Sequence, residues 1–186
     1  IFTVAGGRRS AWLRAPVLVA LGYVVAILLG AGLLGLPQAA PAGRPNLDLL
    51  QAVFMATSAT CVTGLCVVSP ANDLSFFGQL VLLGLVQVGG LGIMTLAFLV
   101  FSSLGGESTS GGDVLASTLT DFVYRHQPRR ALTLVVGGTL LIEAAGALIL
   151  LPALAGERDA TWKAFFLSVC AFCNAGFDNL DHGLSP

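Results

Sequence analysis

The sequence predicts an all-α membrane protein built from repeated units, each made of a membrane helix, a short re-entrant helix with a glycine loop, and a second membrane helix. Composition is the first reason. Its 186 residues are 55% hydrophobic and only 10% charged, with a mean hydropathy of +0.87, whereas water-soluble domains carry about 25% charged residues. Three apolar segments also reach the length of about 20 residues that a bilayer requires, namely residues 16–36, 76–101 and 131–151.

An internal repeat is the second reason. Shifting the sequence by 112 positions places Gly64 on Gly176. The same shift also aligns identical residues before the glycine, among them Ala52 and Ala164, Phe54 and Phe166, Ala59 and Ala171, and Cys61 and Cys173. An apolar segment precedes each copy, so the sequence repeats a structural unit rather than an isolated turn.

These features divide the chain into a first pore repeat at residues 1–103, a polar cytoplasmic linker at 104–130, and an incomplete second pore repeat at 131–186. Within the repeats, the apolar runs at 47–60 and 161–172 are too short to cross a bilayer. We therefore expect each of them to be a pore helix that enters the membrane and returns to the same side.

A glycine loop follows each predicted pore helix. The first candidate filter is Val62, Thr63, Gly64 and Leu65, and the second is Asn174, Ala175, Gly176 and Phe177. Non-helical backbone at membrane depth is tolerated where it is buried in protein or lines a watery cavity. Glycine accepts positive φ, and a ring of backbone carbonyls can replace the hydration shell of K⁺. One copy alone would fit a simple turn, whereas two copies in matching contexts favour an ion path.

Two polar side chains lie inside the predicted spans. Gln87 could hydrogen-bond between helices, which we favour, or face the ion path. Glu143 lies at mid-span, where a carboxylate is either a functional group or a hydrogen-bonding contact between helices. The sequence leaves both alternatives open for Glu143.

Arginines indicate the orientation in the membrane, because cytoplasmic loops are enriched in Lys and Arg. Three precede the first span and three precede the third: Arg8, Arg9, Arg14, Arg125, Arg129 and Arg130. We therefore expect the N-terminus and the linker to be cytoplasmic.

Two other classes of function were considered. Cys170 and Cys173, with Cys61 and Cys66, could form a redox or metal site, but they lie in apolar segments without a nearby histidine, so buried thiols are favoured. We predict no enzyme activity, no cofactor, and no metal other than K⁺. A non-conducting membrane assembly or regulatory subunit remains the alternative to an ion path.

Several motifs carry a resemblance to a known family. The run from Ser58 to Leu65, followed by Phe77-Gly78-Gln79 and by residues 87–95, resembles the first pore loop and following helix of the Trk/Ktr/HKT superfamily of potassium transporters. Residues 141–146 and 168–177 resemble the second repeat of that superfamily. The resemblance covers nearly the whole chain in family order.

The resemblance implies four fused repeats around one K⁺ filter, to which Gly64 and Gly176 would contribute the first two glycines. Glycine at the first position goes with K⁺ selectivity in this superfamily. It further implies K⁺ uptake across a bacterial inner membrane, a homodimer, a cytosolic nucleotide-binding regulatory subunit, Na⁺ as a coupling or activating ion in some members, and no nucleic-acid partner. Since the closing helix of repeat two and the last two repeats do not follow, we expect the sequence to be part of a longer chain.

Overall fold

The computed structural model describes residues 6–104 and 128–180, and every regular element in these two ranges is a helix. This confirms the all-α prediction. The α-helices in these ranges are α1 (Gly6–Leu34), α2 (Leu49–Thr60), α3 (Phe76–Leu104), α4 (Pro128–Leu150) and α5 (Ala160–Phe172). Short 3₁₀ turns at Pro37–Ala39 and Leu151–Leu154 follow α1 and α4. Most of the predicted linker, residues 105–127, and the chain beyond residue 180 lie outside the described residues.

The long helices have membrane dimensions. Helices α1 and α3 each contain 29 residues, and at about 1.5 Å per residue either exceeds a hydrocarbon core of about 30 Å. Within the described ranges, one stretch meets both the length and the hydropathy criterion for a span: Val135–Leu154, of which only 11% is buried. Ala20–Leu34 and Phe76–Gly92 are shorter apolar stretches. The span limits at 16–36, 76–101 and 131–151 stay predictions.

The chain divides into two compact units. The first contains Ile1–Ile93 and Val169–Pro186, and the second contains Met94–Ser168. In the first unit α1 contacts both α2 and α3. A Cβ on Gly30 of α1 would lie 2.5 Å from Leu85 Cδ1 of α3, so the absence of a side chain there lets the two helices pack closely.

The second unit contains α4 and most of α5. The hydroxyl of Ser168 on α5 donates a hydrogen bond of 2.7 Å to the Glu143 carbonyl on α4. A Cβ on Gly146 would collide with Ser168 Oγ, so a glycine one turn along α4 makes room for this bond. At the start of α5, Lys163 in the first turn pairs with Glu157 at 2.8 Å. The carboxylate offsets a positive charge that the helix N-terminus disfavours.

Apolar side chains remain exposed along the long helices. Leu28 and Leu29 on α1 are 63% and 64% exposed, and Leu148 and Ile149 on α4 are 68% and 77% exposed. Contiguous apolar surface of this kind is rare on water-soluble monomers and suits contact with lipid or with other membrane helices. The surface therefore agrees with the membrane protein that the composition predicts.

Candidate functional site

Helix α2 leads the chain into the first glycine loop. It begins after Asp48, whose extended backbone (φ −63°, ψ 154°) forms the N-cap and whose N–H donates to Gln51 Oε1 at 3.0 Å. Small buried residues occupy its last two turns: Ala56, Ser58, Ala59 and Thr60. Their size allows neighbouring backbone to approach the helix end closely.

The end of α2 is a Schellman motif, in which two loop N–H groups bond back to the last helical carbonyls. The Val62 N–H donates to the Ala59 carbonyl at 3.1 Å, and the Thr63 N–H donates to the Ser58 carbonyl at 2.9 Å. Val62 takes the left-handed position of this motif with φ 57°. A β-branched residue is an outlier there, at a cost of about 1–3 kcal/mol.

Helix α5 ends in the same way, 112 residues later. The Asn174 N–H donates to the Ala171 carbonyl at 3.1 Å, and the Ala175 N–H donates to the Cys170 carbonyl at 2.7 Å. Asn174 has φ 58°. The shift that aligns the two sequences therefore also aligns the cap hydrogen bonds and the left-handed residue, so the main chain repeats although the side chains differ.

The two glycines that define the repeat both have positive φ and lie against each other. Gly64 has φ 75° and Gly176 has φ 68°. A Cβ on Gly64 would collide with the Ala175 carbonyl oxygen and lie 2.9 Å from Gly176 Cα, whereas a Cβ on Gly176 would lie 3.5 Å from Gly64 Cα. Backbone of the two loops is thus in direct contact inside the first unit.

Hydroxyl groups support the first loop from the pore-helix side. Ser58, which is 4% exposed, donates to the Leu65 carbonyl at 2.7 Å. The Thr63 hydroxyl in turn donates to Ser58 Oγ at 2.9 Å. These bonds join both halves of the loop to α2.

The eight predicted filter residues differ in exposure. Ala175 and Phe177 are buried, and Val62 and Gly64 are half-buried. The other four are exposed: Thr63, Leu65, Asn174 and Gly176. Each loop therefore combines a part anchored in the protein with a part open to solvent, as an ion-lining loop requires.

Two glycines on α3 pack against the starts of both glycine loops. A Cβ on Gly89 would collide with the Thr60 carbonyl oxygen and lie 3.0 Å from Val62 Cγ2, and one on Gly90 would lie 2.7 Å from Cys173 Sγ. The Gly89 carbonyl also accepts a hydrogen bond of 3.1 Å from the Tyr23 hydroxyl on α1. Two adjacent glycines of α3 thus lie against the C-terminal ends of α2 and α5.

The two polar residues of the predicted spans, Gln87 and Glu143, have different surroundings. Gln87 lies beside the end of α5, with Cys173 Sγ 3.8 Å from its Oε1, and its buried Nε2 has no hydrogen-bond partner in the described part of the chain. Glu143 belongs to the second unit and is 1% exposed. The structure therefore brings Gln87, but not Glu143, into one unit with the two loops.

All four cysteines are free thiols. Partial desolvation, helped by the Asp178 carboxylate, raises the pKa of the Cys66 thiol to about 11, so the thiol stays protonated at neutral pH. Within residues 6–104 and 128–180, His, Cys, Asp and Glu form no group of three that could hold a metal ion. The prediction of buried thiols holds for Cys170, whereas Cys173 is half-buried and Cys61 and Cys66 are exposed.

Three side chains behind the loops were missed by sequence reasoning. Ser58 belongs to a run of small and hydroxylic residues whose composition pointed to it. Gln79 and Asn179 hydrogen-bond to each other at 3.4 Å across 100 positions of sequence, and no local pattern indicates such a pair.

Comparison with known proteins gives consistent matches. The family model described as "TrkH: Cation transport protein" matches residues 30–186. The chain is 30% identical to the potassium/sodium uptake protein NtpJ of Enterococcus hirae, covering 90% of this chain and 38% of that protein. It is 35% identical to the Ktr system potassium uptake protein B of Bacillus subtilis, covering 91% and 39%, and 33% identical to that of Vibrio alginolyticus, covering 95% and 39%. The chain thus spans about two fifths of the length of these curated relatives.

Proposed function

Since the chain belongs to the TrkH family of cation transport proteins, a family of transporters rather than enzymes, we propose that it helps to conduct K⁺ across a membrane along a path lined by its two glycine loops. The observation that carries the proposal is the repeated main-chain geometry, in which left-handed residues at 62 and 64 recur at 174 and 176. The names of the relatives, potassium uptake proteins, support K⁺ as the ion.

The loops would supply ligands through their backbone carbonyls, since K⁺ filters replace water with carbonyl oxygens. We assign this role to residues 62–64 of the first loop and 174–177 of the second. The Leu65 carbonyl, which already accepts the Ser58 hydroxyl, acts in this proposal as an anchor that orients the preceding carbonyls. Side chains mainly hold the loops in shape.

The protein as a whole would follow its family. The chain covers 38% and 39% of the relatives' lengths, and we propose that two further repeats of the native protein complete the ring around the ion. We also propose an inner-membrane location with a cytoplasmic N-terminus, a homodimer, and a cytosolic nucleotide-binding regulatory subunit. A role for Na⁺ finds support in the name of the potassium/sodium uptake relative.

The proposal is tested by expressing the full-length native gene in bacteria that lack their own K⁺ uptake systems. We expect growth at low external K⁺ and Rb⁺ uptake well above that of cells with an empty vector. Protein in the membrane is quantified in parallel. Correctly inserted protein that leaves uptake at the vector level would exclude conduction and favour the alternative, a non-conducting assembly or regulatory subunit.

Ser58→Ala is expected to loosen the first loop without preventing membrane insertion. The change removes the donor to the Leu65 carbonyl and one of the two acceptors of the Thr63 hydroxyl, which also donates to the Ser58 carbonyl, and a hydrogen bond of this kind contributes about 0.5–1.5 kcal/mol. We expect the ratio of K⁺ to Na⁺ uptake to fall by about five-fold, since 1 kcal/mol corresponds to roughly that factor.

Thr57→Ala is the matched control for Ser58→Ala. Its hydroxyl lies one residue earlier, and in the described part of the chain it donates to the Val53 carbonyl of the same helix at 2.7 Å and not to the loop. The control should keep the uptake ratio. If Ser58→Ala and wild type show the same ratio of K⁺ to Na⁺ uptake, the hydroxyls of Ser58 and Thr63 do not position the loop.

A further inference from the structure

The two glycine loops share a main chain but not the side chains that hold it. In the first loop, the Ser58 hydroxyl donates to the Leu65 carbonyl and accepts a hydrogen bond from the Thr63 hydroxyl. The equivalent positions in the second loop are Cys170 and Ala175. A thiol is a weak donor and an alanine side chain is none, so the second loop needs another means of support.

A pair of buried amides occupies the place where that support is needed. Asn179, two residues after the loop, is 2% exposed, and Gln79 is 9% exposed. The Asn179 Nδ2 donates to Gln79 Oε1 at 3.4 Å. The Gln79 Nε2 donates to the Pro70 carbonyl at 2.9 Å. One glutamine amide therefore joins the segment that follows the first loop to the segment that follows the second.

Gln79 is itself held rigidly at the start of α3. Its main-chain N–H donates to the Ser75 carbonyl at 2.9 Å. The Ser75 hydroxyl donates to the Gln38 carbonyl at 2.6 Å and accepts the Gly78 N–H at 3.2 Å. The glutamine amide is therefore presented from a hydrogen-bonded helix end, which makes it suitable to position the segment that contains Asn179.

We propose that Gln79 and Asn179 are a positioning pair for the second glycine loop and thereby set the K⁺ selectivity of the ion path; this inference rests on the proposed function. The peptide between Phe177 and Asn179 is short, so a displacement of Asn179 moves the Phe177 carbonyl and, through it, Gly176. Because Gly176 lies against Gly64, the displacement also reaches the first loop. Asn179 Oδ1 has no hydrogen-bond partner among the described residues, so the amide depends on its bond to Gln79.

The test uses the full-length native protein and three variants: Gln79→Leu, Asn179→Leu and the double variant. Leucine keeps the approximate volume of each amide side chain and removes its hydrogen bonds. The readout is the ratio of K⁺ to Na⁺ uptake per amount of protein in the membrane. We expect each single variant to lower this ratio by about five-fold. The double variant should lower it no further than Gln79→Leu, because Gln79→Leu already breaks the bond to Asn179 together with the bond to the Pro70 carbonyl.

Asn72→Leu is the matched control, since Asn72 is an exposed amide in the segment after the first loop whose hydrogen bonds within residues 6–104 and 128–180 go to Ser69. It should leave the ratio unchanged. If leucine prevents insertion, Gln79→Ala and Asn179→Ala are measured in the same way. The positioning role would be overturned if the wild type takes up K⁺ and the variants show the same ratio of K⁺ to Na⁺ uptake as the wild type. It would also be overturned if the effect of the double variant equals the product of the two single effects. Absence of K⁺ uptake by the inserted wild type would instead overturn the proposed function.

Discussion

Gly64→Ala is expected to lower K⁺ uptake by more than ten-fold. Gly176→Ala is expected to lower K⁺ uptake less, so that part of the wild-type uptake is still measurable. Both glycines have positive φ, which costs an alanine about 1–2 kcal/mol, and about 1.4 kcal/mol corresponds to ten-fold. Only at Gly64 would the new Cβ also collide with backbone, the Ala175 carbonyl oxygen. At Gly176 its nearest neighbour, Gly64 Cα, is 3.5 Å away, an ordinary contact.

Uptake is measured as initial Rb⁺ influx per amount of inserted protein. Gly43→Ala is the matched control, since Gly43 has φ 87° but no atom within 4 Å of a built Cβ. Gly43→Ala introduces the same positive-φ strain without a steric collision, and Gly43 lies outside both loops. Equal loss in Gly64→Ala and Gly176→Ala would contradict the asymmetric packing of the loops, and unchanged uptake in both would remove the loops from the ion path.

Gly89→Ala on α3 is expected to have the second-largest effect. A Cβ there would collide with the carbonyl oxygen of Thr60, lie 2.8 Å from the carbonyl carbon of that residue and lie 3.0 Å from Val62 Cγ2. Backbone cannot rotate away as a side chain can, so α3 or the end of α2 must shift, at a cost of about 1–3 kcal/mol. We expect Rb⁺ influx to fall by about ten-fold or more while the protein still inserts.

Gly84→Ala distinguishes this collision from a general effect on the helix. Gly84 lies on the same helix with no atom within 4 Å of a built Cβ, and glycine to alanine inside a helix typically stabilises it by about 0.5–1 kcal/mol. The control should therefore match or exceed wild type in heat stability and retain its influx. A Gly89→Ala protein with normal influx would mean that α3 does not fix the first loop.

Sequence reasoning found the elements whose signal is local. The apolar runs and their lengths predicted helices, and the repeated glycines drew attention to the loops, since both signals depend on neighbouring residues. The family prediction is confirmed by the match over residues 30–186. Asn174 could also have been predicted as left-handed, because asparagine is among the residues that tolerate that conformation.

Other features depend on contacts that no local pattern contains. Val62 is a poor choice for a left-handed position. It keeps φ 57° because the cap hydrogen bonds from the Val62 and Thr63 N–H groups and the packing of Val62 beside Gly89 outweigh the local preference. The pairing of Gln79 with Asn179 joins positions 100 residues apart. Long-range packing decided both, so only a structure could show them.

The different supports of the two loops have a consequence for how such a protein can change over evolution. In an oligomer of identical subunits, one substitution in the gene alters every loop at once, and a change tolerated in one place must be tolerated in all. Here two copies of one main-chain design lie in a single chain, with Ser58 and Thr63 behind one and Asn179 behind the other. Each copy can therefore acquire its own side chains while the duplicated backbone is kept.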